Sequence, residues 1–250
     1  MRTLLIDADL LLYRAAAATE FEMGVEVEGS EDEDLFVRVG SLNDGIAAAE
    51  AEIERLRDKL QATEVVLCLT GKGNFRKDIW PTYKANRTGA RPVCHAILRK
   101  AMKARHRHYE RDRLEADDVM GILATHAGII RGEKIVVSED KDMLQLTGIP
   151  IFRQGQIVVP DDGNRFHLIQ TLQGDLTDNY PGCPKVGEKT AEKIIPPDMP
   201  IEERWPAVVM AYAKAGLDEG YALTQARVAR ILTADHFNFT TKEVLLWNPE

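Results

Sequence analysis

Apolar residues in this chain fall into two arrangements. Short runs with little interruption, Thr3-Leu4-Leu5-Ile6, Val65-Val66-Leu67-Cys68-Leu69 and Lys134-Ile135-Val136-Val137, read as buried strands. Elsewhere the apolar positions recur every three or four residues. Ile46, Ala49, Ile53, Leu56 and Leu60 predict a surface helix capped by Asn43 or Asp44, and Val119, Ile122 and Leu123 give an inward face to a helix over 115–126. Leu10 to Leu12 and the alanines after them start a helix directly behind the first strand, and a further helix is expected over about 91–108. Gln156–Val159 and Arg165–Leu168 flank Pro160-Asp161-Asp162-Gly163-Asn164, a turn signal that predicts a hairpin. From Pro196 the pattern is helical, with Trp205, Val208, Val209 and the stretch 222–232 supplying apolar positions. Strands alternating with helices predict an α/β domain.

Composition narrows this picture. The chain has 250 residues, enough for one large domain or a domain with an appendage. No run of about 18 uncharged apolar residues occurs, so no membrane span is expected. Asp7 and Asp9 interrupt the apolar run after Arg2, so that run does not read as a signal peptide. Cys68, Cys94 and Cys183 lack a C-x-x-C pair, which fits reduced thiols in a cytosol and gives no zinc signal.

The net charge of −8 alone argues against nucleic acid, but its distribution argues for it. Between Lys72 and Arg113 there are 13 Lys and Arg against 3 acids, a local +10, which leaves −18 for the rest. One basic block in an acidic body suits a protein that holds a polyanion over a site rich in carboxylates. Lys84 and Arg87, three apart with Tyr83 adjacent, would share a helix face and offer two phosphate contacts beside a stacking platform. Glu20 to Asp34 carries eight acids and no base, and reads as an exposed loop or loose hairpin.

Carboxylates cluster where apolar elements end. Leu114-Glu115-Ala116-Asp117-Asp118 and Ser138-Glu139-Asp140-Lys141-Asp142 hold six acids, and five of them, Glu115, Asp117, Asp118, Asp140 and Asp142, make a density at element ends that solubility alone would not need. Like charges held close need a counter-ion, which points to a hard, oxygen-ligated divalent metal. Helical geometry puts Glu115 and Asp118 together and turns Asp117 away from them. Asp7, at the carboxyl end of a strand, stands where open α/β sheets place ligands; as a helix N-cap it would stand in the same place. Further on, Gly182 and Gly187 bracket a tight turn with Lys185 and Lys189 nearby, able to hold a phosphate, and Gly174-Asp175-Leu176-Thr177-Asp178 precedes it.

Five pieces in this order resemble the 5′-nuclease superfamily of flap endonucleases and 5′-to-3′ exonucleases, most of all its short phage-type members. They are Leu5-Ile6-Asp7; Phe75-Arg76 through Tyr83-Lys84-x-x-Arg87; Glu115-x-Asp117-Asp118; Ser138-x-Asp140-Lys141-Asp142; and Gly174-Asp175-x-x-Asp178 leading to Gly182-x-x-x-x-Gly187-x-Lys189-Thr190. The resemblance implies a PIN-like α/β domain over 1–171 with a helical arch or gateway at about 72–113. A helix-three-turn-helix module and C-terminal helices would fill 172–250. It implies two Mg²⁺ ions, with Mn²⁺ as a substitute: Asp7, Glu115 and Asp117 toward the first, Asp140, Asp142, Asp175 and Asp178 toward the second, Asp118 close by. Arg76, Tyr83, Lys84 and Arg87 would meet DNA at the arch. Gly182, Lys185, Gly187, Lys189 and Thr190 would grip the duplex at a turn that in the family also holds a monovalent cation such as K⁺. The substrate would be DNA with a 5′ end or 5′ flap, extending to RNA/DNA hybrids, with replication proteins as partners and a bacterial or phage-infected cytoplasm as the setting.

One departure stands out. Family members commonly carry an Asp just after the second strand, where this chain has Thr70-Gly71, so a weaker first ion and a need for more Mg²⁺ or for Mn²⁺ are expected. Two rival readings remain. A phosphatase of the haloacid-dehalogenase type would use Asp7-Ala8-Asp9, but has no use for the basic block. A non-catalytic DNA-binding protein of the same fold would explain Gly71.

Overall fold

The computed structural model describes residues 1–25 and 35–249. Its first strand, β1 (Arg2–Asp7), runs into helix α1 (Ala8–Ala18), whose N-terminus is capped by Asp7 accepting the Leu10 amide at 3.2 Å. An antiparallel ribbon follows, β2 (Glu20–Val25) paired with β3 (Leu35–Gly40). The acidic hairpin read from the sequence has its root here, while 26–34 lies outside the described residues. Helix α2 (Leu42–Lys59) is capped by Ser41, not by Asn43 or Asp44: the Ser41 hydroxyl accepts the Asp44 amide. The predicted face is buried through Ala49, Ile53 and Leu56, with Leu60 at the C-cap.

Strand β4 (Glu64–Thr70), short helix α3 (Arg76–Ile79), helix α4 (His95–Arg105), strand β5 (His108–Arg111), helix α5 (Ala116–Thr125) and strand β6 (Glu133–Val137) come next. After them, β7 (Ile151–Arg153) and β8 (Gln156–Val158) complete a six-stranded sheet of order β5-β4-β1-β6-β7-β8, parallel except for β8. The chain moves outward from β1 through β4 to β5, then crosses to β6 on the other side of β1. That reversal is the topological switch point where open sheets bind ligands at the carboxyl ends of their strands. α1, α2 and α4 cover one face and α5 the other, giving two apolar clusters on either side of the sheet.

Three expectations change. The basic block does not form a helical arch from end to end. Leu98 and Met102 of α4 are fully buried beside Ile53 and Leu56, and β5 joins the sheet, so turns and irregular backbone narrow to 80–94, where Tyr83 and Cys94 are buried and 85–91 is exposed throughout. Lys84 and Arg87 sit in those turns, with Lys84 at φ +54°, not on a helix face. The hairpin is β7–β8, turned by Gln154 and Gly155, both at positive φ, as a two-residue hairpin loop requires. Asp162 instead caps helix α6 (Gly163–Gln173), accepting the Arg165 amide at 2.9 Å, which takes Arg165–Leu168 out of any strand.

α6 belongs to a separate helical core. Leu168, Ile169 and Leu172 pack with residues of α7 (Glu188–Ile194), α8 (Ile201–Lys214) and α9 (Glu219–Ala229), so the helical layer starts near 163, earlier than 172. The segment after α9 then returns to the sheet domain, where Ile231 and Leu232 are buried in the α5-side cluster.

One buried ion pair ties these parts together. The Arg76 guanidinium, 2% exposed, donates to both oxygens of Asp118 at 2.7 and 2.8 Å, and to the carbonyls of Val228 and Arg230. Asp118 also accepts the amides of Glu115 and Leu232. With these partners, Asp118 is part of the scaffold instead of a metal ligand, and Arg76 cannot reach DNA. Replacing Asp118 by Asn strands a buried guanidinium without its counter-charge, a loss of about 3–5 kcal/mol. Urea unfolding of D118N in EDTA should show that loss in full; a loss seen only with Mg²⁺ present would return Asp118 to the metal site.

Candidate active site

The carboxyl ends of the parallel strands deliver acids to one place because each strand stops where its apolar run stops. β1 ends at Asp7, α5 opens with Glu115 as its N-cap and Asp117 in its first turn, and β6 is followed by Ser138, Glu139 and Asp140. Asp7, Glu115, Asp117, Glu139 and Asp140 share a cleft of about 950 Å³ whose lining also includes Asp9 and Glu110. The same cleft is lined by Lys72, Lys77, Lys84, Arg87, Arg91, His95 and Arg99, of which Lys84 and Arg99 touch its acids directly.

The acids form a chain of mutually repelling groups. Burial, with the charges of Asp9 and Asp140, pushes Asp7 up to about 6 although the Leu10 amide opposes this. Asp117 lies well above the usual carboxylate range through burial and the charges of Asp7 and Asp140. Asp142 is pushed up to about 7 by burial and by Asp140, while the Gln170 amide group, 2.5 Å away, pulls the other way. Asp178 adds to the repulsion at Asp142 and belongs to the same stretch as Asp175, whose carboxylate accepts the Thr177 and Asp178 amides and lies 3.4 Å from Lys141. Glu115 behaves oppositely. Burial alone would raise it, but Arg76 and Lys84 hold it down at about 2.

The structure thus brings Asp7, Asp117 and Asp140 together, with Asp142 next to Asp140, and brings Glu115 beside Asp178, the two sharing Tyr83 and Lys84. Among the described residues no three acids, imidazoles or thiols close around one point. The donor set is all oxygen, partly desolvated and short of counter-charge. That fits hard divalent ions that keep several waters and take only one or two carboxylates each.

Several sequence-derived roles move. Tyr83 is 3% exposed and its hydroxyl lies 2.9 Å from both Glu115 and Asp178, so it is not a stacking platform for bases. Lys84 contacts Glu115 at 2.5 Å and Asp178 at 3.5 Å; Arg87 contacts Asp178 at 2.6 Å. Gly182 is buried at φ +64°, its amide bonded to Gln225, and a Cβ there would meet the Gly174 nitrogen at 2.3 Å, so it shapes the turn instead of facing DNA. Lys185, Gly187, Lys189 and Thr190 are exposed on that turn.

Asp9 was noticed only as half of a phosphatase-like motif. Its carboxylate accepts the Thr70 amide at 2.9 Å and Arg99 at 2.7 Å, while Arg99 also donates to the Thr70 carbonyl. Both oxygens of Asp9 are thereby engaged, and the Asp9–Arg99 pair closes the end of β4 beside Thr70-Gly71. Gly71 cannot regain that Asp, because a Cβ there would stand 2.0 Å from the Arg111 carbonyl oxygen. Glu139, Arg99 and Gln170 were also missed; Glu139 had a signal in its place beside Asp140, and Gln170 had none.

The fold and this cleft define the class, a 5′-nuclease. The chain matches the family described as 5′-3′ exonuclease, N-terminal resolvase-like domain, over residues 2–163, and belongs to it as a phage-type member of the 5′-nuclease superfamily. Its relatives include the exodeoxyribonuclease of Enterobacteria phage T3 and the exonuclease of Escherichia phage T7. Each is 28% identical and aligns over 98% of this chain, covering 92% and 93% of those proteins respectively. DNA polymerase I of Lactococcus lactis subsp. cremoris is 30% identical over 78% of this chain and 24% of its own length. The phage T5 D15 protein co-crystallized with metal ions shares the fold, with a TM-score of 0.66 at 15% identity over 92% of this chain and 89% of that one.

Two outcomes test the site's physics. Gly71→Ala should destabilise the protein by about 1–3 kcal/mol through overpacking; an unchanged melting temperature would refute the close approach. Asp117→Asn removes a repelling charge, so in EDTA it should melt a few degrees higher than the parent, about 2–4 °C per kcal/mol. A lower melting point in EDTA would show that this acid is not under repulsion.

Proposed function

We propose that the protein hydrolyses DNA phosphodiesters from a 5′ end or at a 5′ flap, using two Mg²⁺ ions or Mn²⁺ in their place. The observation that carries this is the shared cleft, whose lining combines acids from several chain segments with seven basic residues. Asp7, Glu115 and Asp117 would serve one ion, and Asp140, Asp142, Asp175 and Asp178 the other, each ion taking one or two carboxylates directly and the rest through its waters. Such ions supply Lewis-acid stabilisation of the phosphoryl oxygens and a water made nucleophilic at neutral pH.

The remaining roles belong to the chain itself. Lys84 and Arg87, already at the cleft, orient the scissile phosphate and offset charge that builds on its oxygens. Lys72, Lys77 and Arg91 line the path of the strand and contribute contacts to its phosphates without reading sequence. Lys185, Gly187, Lys189 and Thr190 grip duplex behind the cut, with K⁺ as a candidate ion in that turn. The exposed stretch 85–91 supplies the flexible part of the gateway, a smaller element than a full helical arch. RNA/DNA hybrids and cooperation with replication proteins are extensions of the same reading.

The experiment is a product ladder from a 5′-flap substrate and a blunt duplex, with Mg²⁺ or with EDTA. Metal-dependent release of products bearing 5′ phosphates is expected, and Asp142→Asn should reduce the rate by at least about 100-fold, a loss of some 2.7 kcal/mol at the transition state. Equal degradation by parent and D142N would overturn the assignment. Arg87→Ala should lower turnover more than duplex affinity; equal loss of both would remove Arg87 from phosphate orientation.

A further inference from the structure

The turn after α3 and the turn carrying Asp178 lie about 95 residues apart in sequence, yet hydrogen bonds sew them together side by side. The Lys84 amide donates to the Asp178 carbonyl at 2.9 Å. The Trp80 indole N–H donates to the Asn179 carbonyl at 2.9 Å, the Asn179 amide group to the Thr82 carbonyl at 2.7 Å, and the Asn86 amide group to the Leu176 carbonyl at 2.9 Å. This seam fixes Lys84 in left-handed backbone, a conformation that a non-glycine residue adopts only when its surroundings hold it there.

What the seam presents is a set of donors aimed at two acids. The Tyr83 hydroxyl lies 2.9 Å from Glu115 Oε2 and 2.9 Å from Asp178 Oδ2. One hydroxyl hydrogen of a neutral phenol cannot serve two anions, so a positive group must make the pair tolerable. Lys84 Nζ does so, 2.5 Å from Glu115 Oε1 and 3.5 Å from Asp178 Oδ2, and Arg87 takes the second oxygen of Asp178 at 2.6 Å. Glu115 and Asp178 are each about nine-tenths shielded from water, at 13% and 14% exposure, so these contacts are worth more than surface ion pairs.

We propose that Tyr83, Lys84 and Arg87 form a cationic latch that competes with divalent metal for the Glu115–Asp178 pair. The proposal rests on the reading of those two acids as metal ligands and adds a second duty to Lys84 and Arg87. With no ion bound, their charges stabilise the pair. An arriving ion takes over that task and frees both side chains for the phosphate of the substrate. Metal loading and phosphate capture are thereby coupled through one displaced segment. Tyr83 acts as a positioning residue, keeping the two carboxylates at a fixed separation in either state.

The test needs no DNA and no turnover. Mn²⁺ binding to the full chain is measured by calorimetry for the parent, Lys84→Ala, Arg87→Ala and Lys77→Ala, the last being a cleft cation bonded to neither acid. Lys84→Ala should bind Mn²⁺ about 10-fold more tightly, equivalent to 1.4 kcal/mol, Arg87→Ala should gain less, and Lys77→Ala should gain least. In parallel, trypsin should cut the parent after Lys84 and Arg87 faster when Mn²⁺ is present. Lys84→Ala binding no more tightly than Lys77→Ala, or a trypsin rate indifferent to Mn²⁺, would overturn the latch. Mn²⁺ affinity untouched by Asp178→Asn and Asp117→Asn would instead sink the ligand reading, and with it the latch.

Discussion

Mutual repulsion among partly desolvated carboxylates at the ends of parallel strands is the constraint on which the rest of the architecture turns. Five parallel strands place their carboxyl ends on one edge, and the chain crosses over beside β1, so Asp7, Asp117 and Asp140 are forced into each other's fields. Local groups relieve that strain only in part, through the Leu10 amide at Asp7 and Lys141 beside Asp142. Counter-charge is brought in from elsewhere: Arg99 from α4 to Asp9, Lys84 from the turn after α3 to Glu115 and Asp178, Lys141 to Asp175. A site with this many acids and so few fixed partners is stable only as far as its surroundings are rigid, and it has a physical reason to take up cations.

Rigidity comes from ion pairs that do no chemistry. Arg76 and Asp118 are buried against each other and against backbone carbonyls at the end of α9, which anchors the root of the gateway, the first turn of α5 and the returning C-terminal segment to one point. Gln145 supplies a second anchor, its side chain reaching Gln170, the Ala229 carbonyl and the Ile231 amide. Both are satisfied polar networks inside apolar clusters, a placement that favours one packing over its alternatives. The helical unit and the sheet domain are therefore held in register.

The cations around the cleft divide by burial. Arg76 is sealed and structural; Arg99 is half-sealed and closes the end of β4, where Gly71 leaves no room for a side chain. Lys84 and Arg87 are paired with Glu115 and Asp178, at the start of an exposed segment. A single basic block in the sequence thus separates into groups that fix the fold and groups that remain available, and only their neighbours tell them apart.

The sequence by itself determined the strands at 3–6, 65–69 and 134–137, the helix behind Asp7 and the acid cluster at Glu115 to Asp118, because strand burial, helix periodicity and capping act within a few residues. It also placed Asp7 at a strand end and turned Asp117 away from Asp118. It misread Pro160–Asn164 as a hairpin turn, since an Asp and a Gly in sequence serve a turn and a helix cap equally well, and it ran the helix over 91–108 where α4 spans His95–Arg105. Only the tertiary structure decided that Arg76, Tyr83 and Asp118 face inward, that Gly182 closes against Gly174, and that Lys84 rests on acids instead of a helix face. Those outcomes depend on partners 42, 95 or 152 residues away. Charge and residue type say that a group needs a partner; which partner it meets is set by how the layers pack.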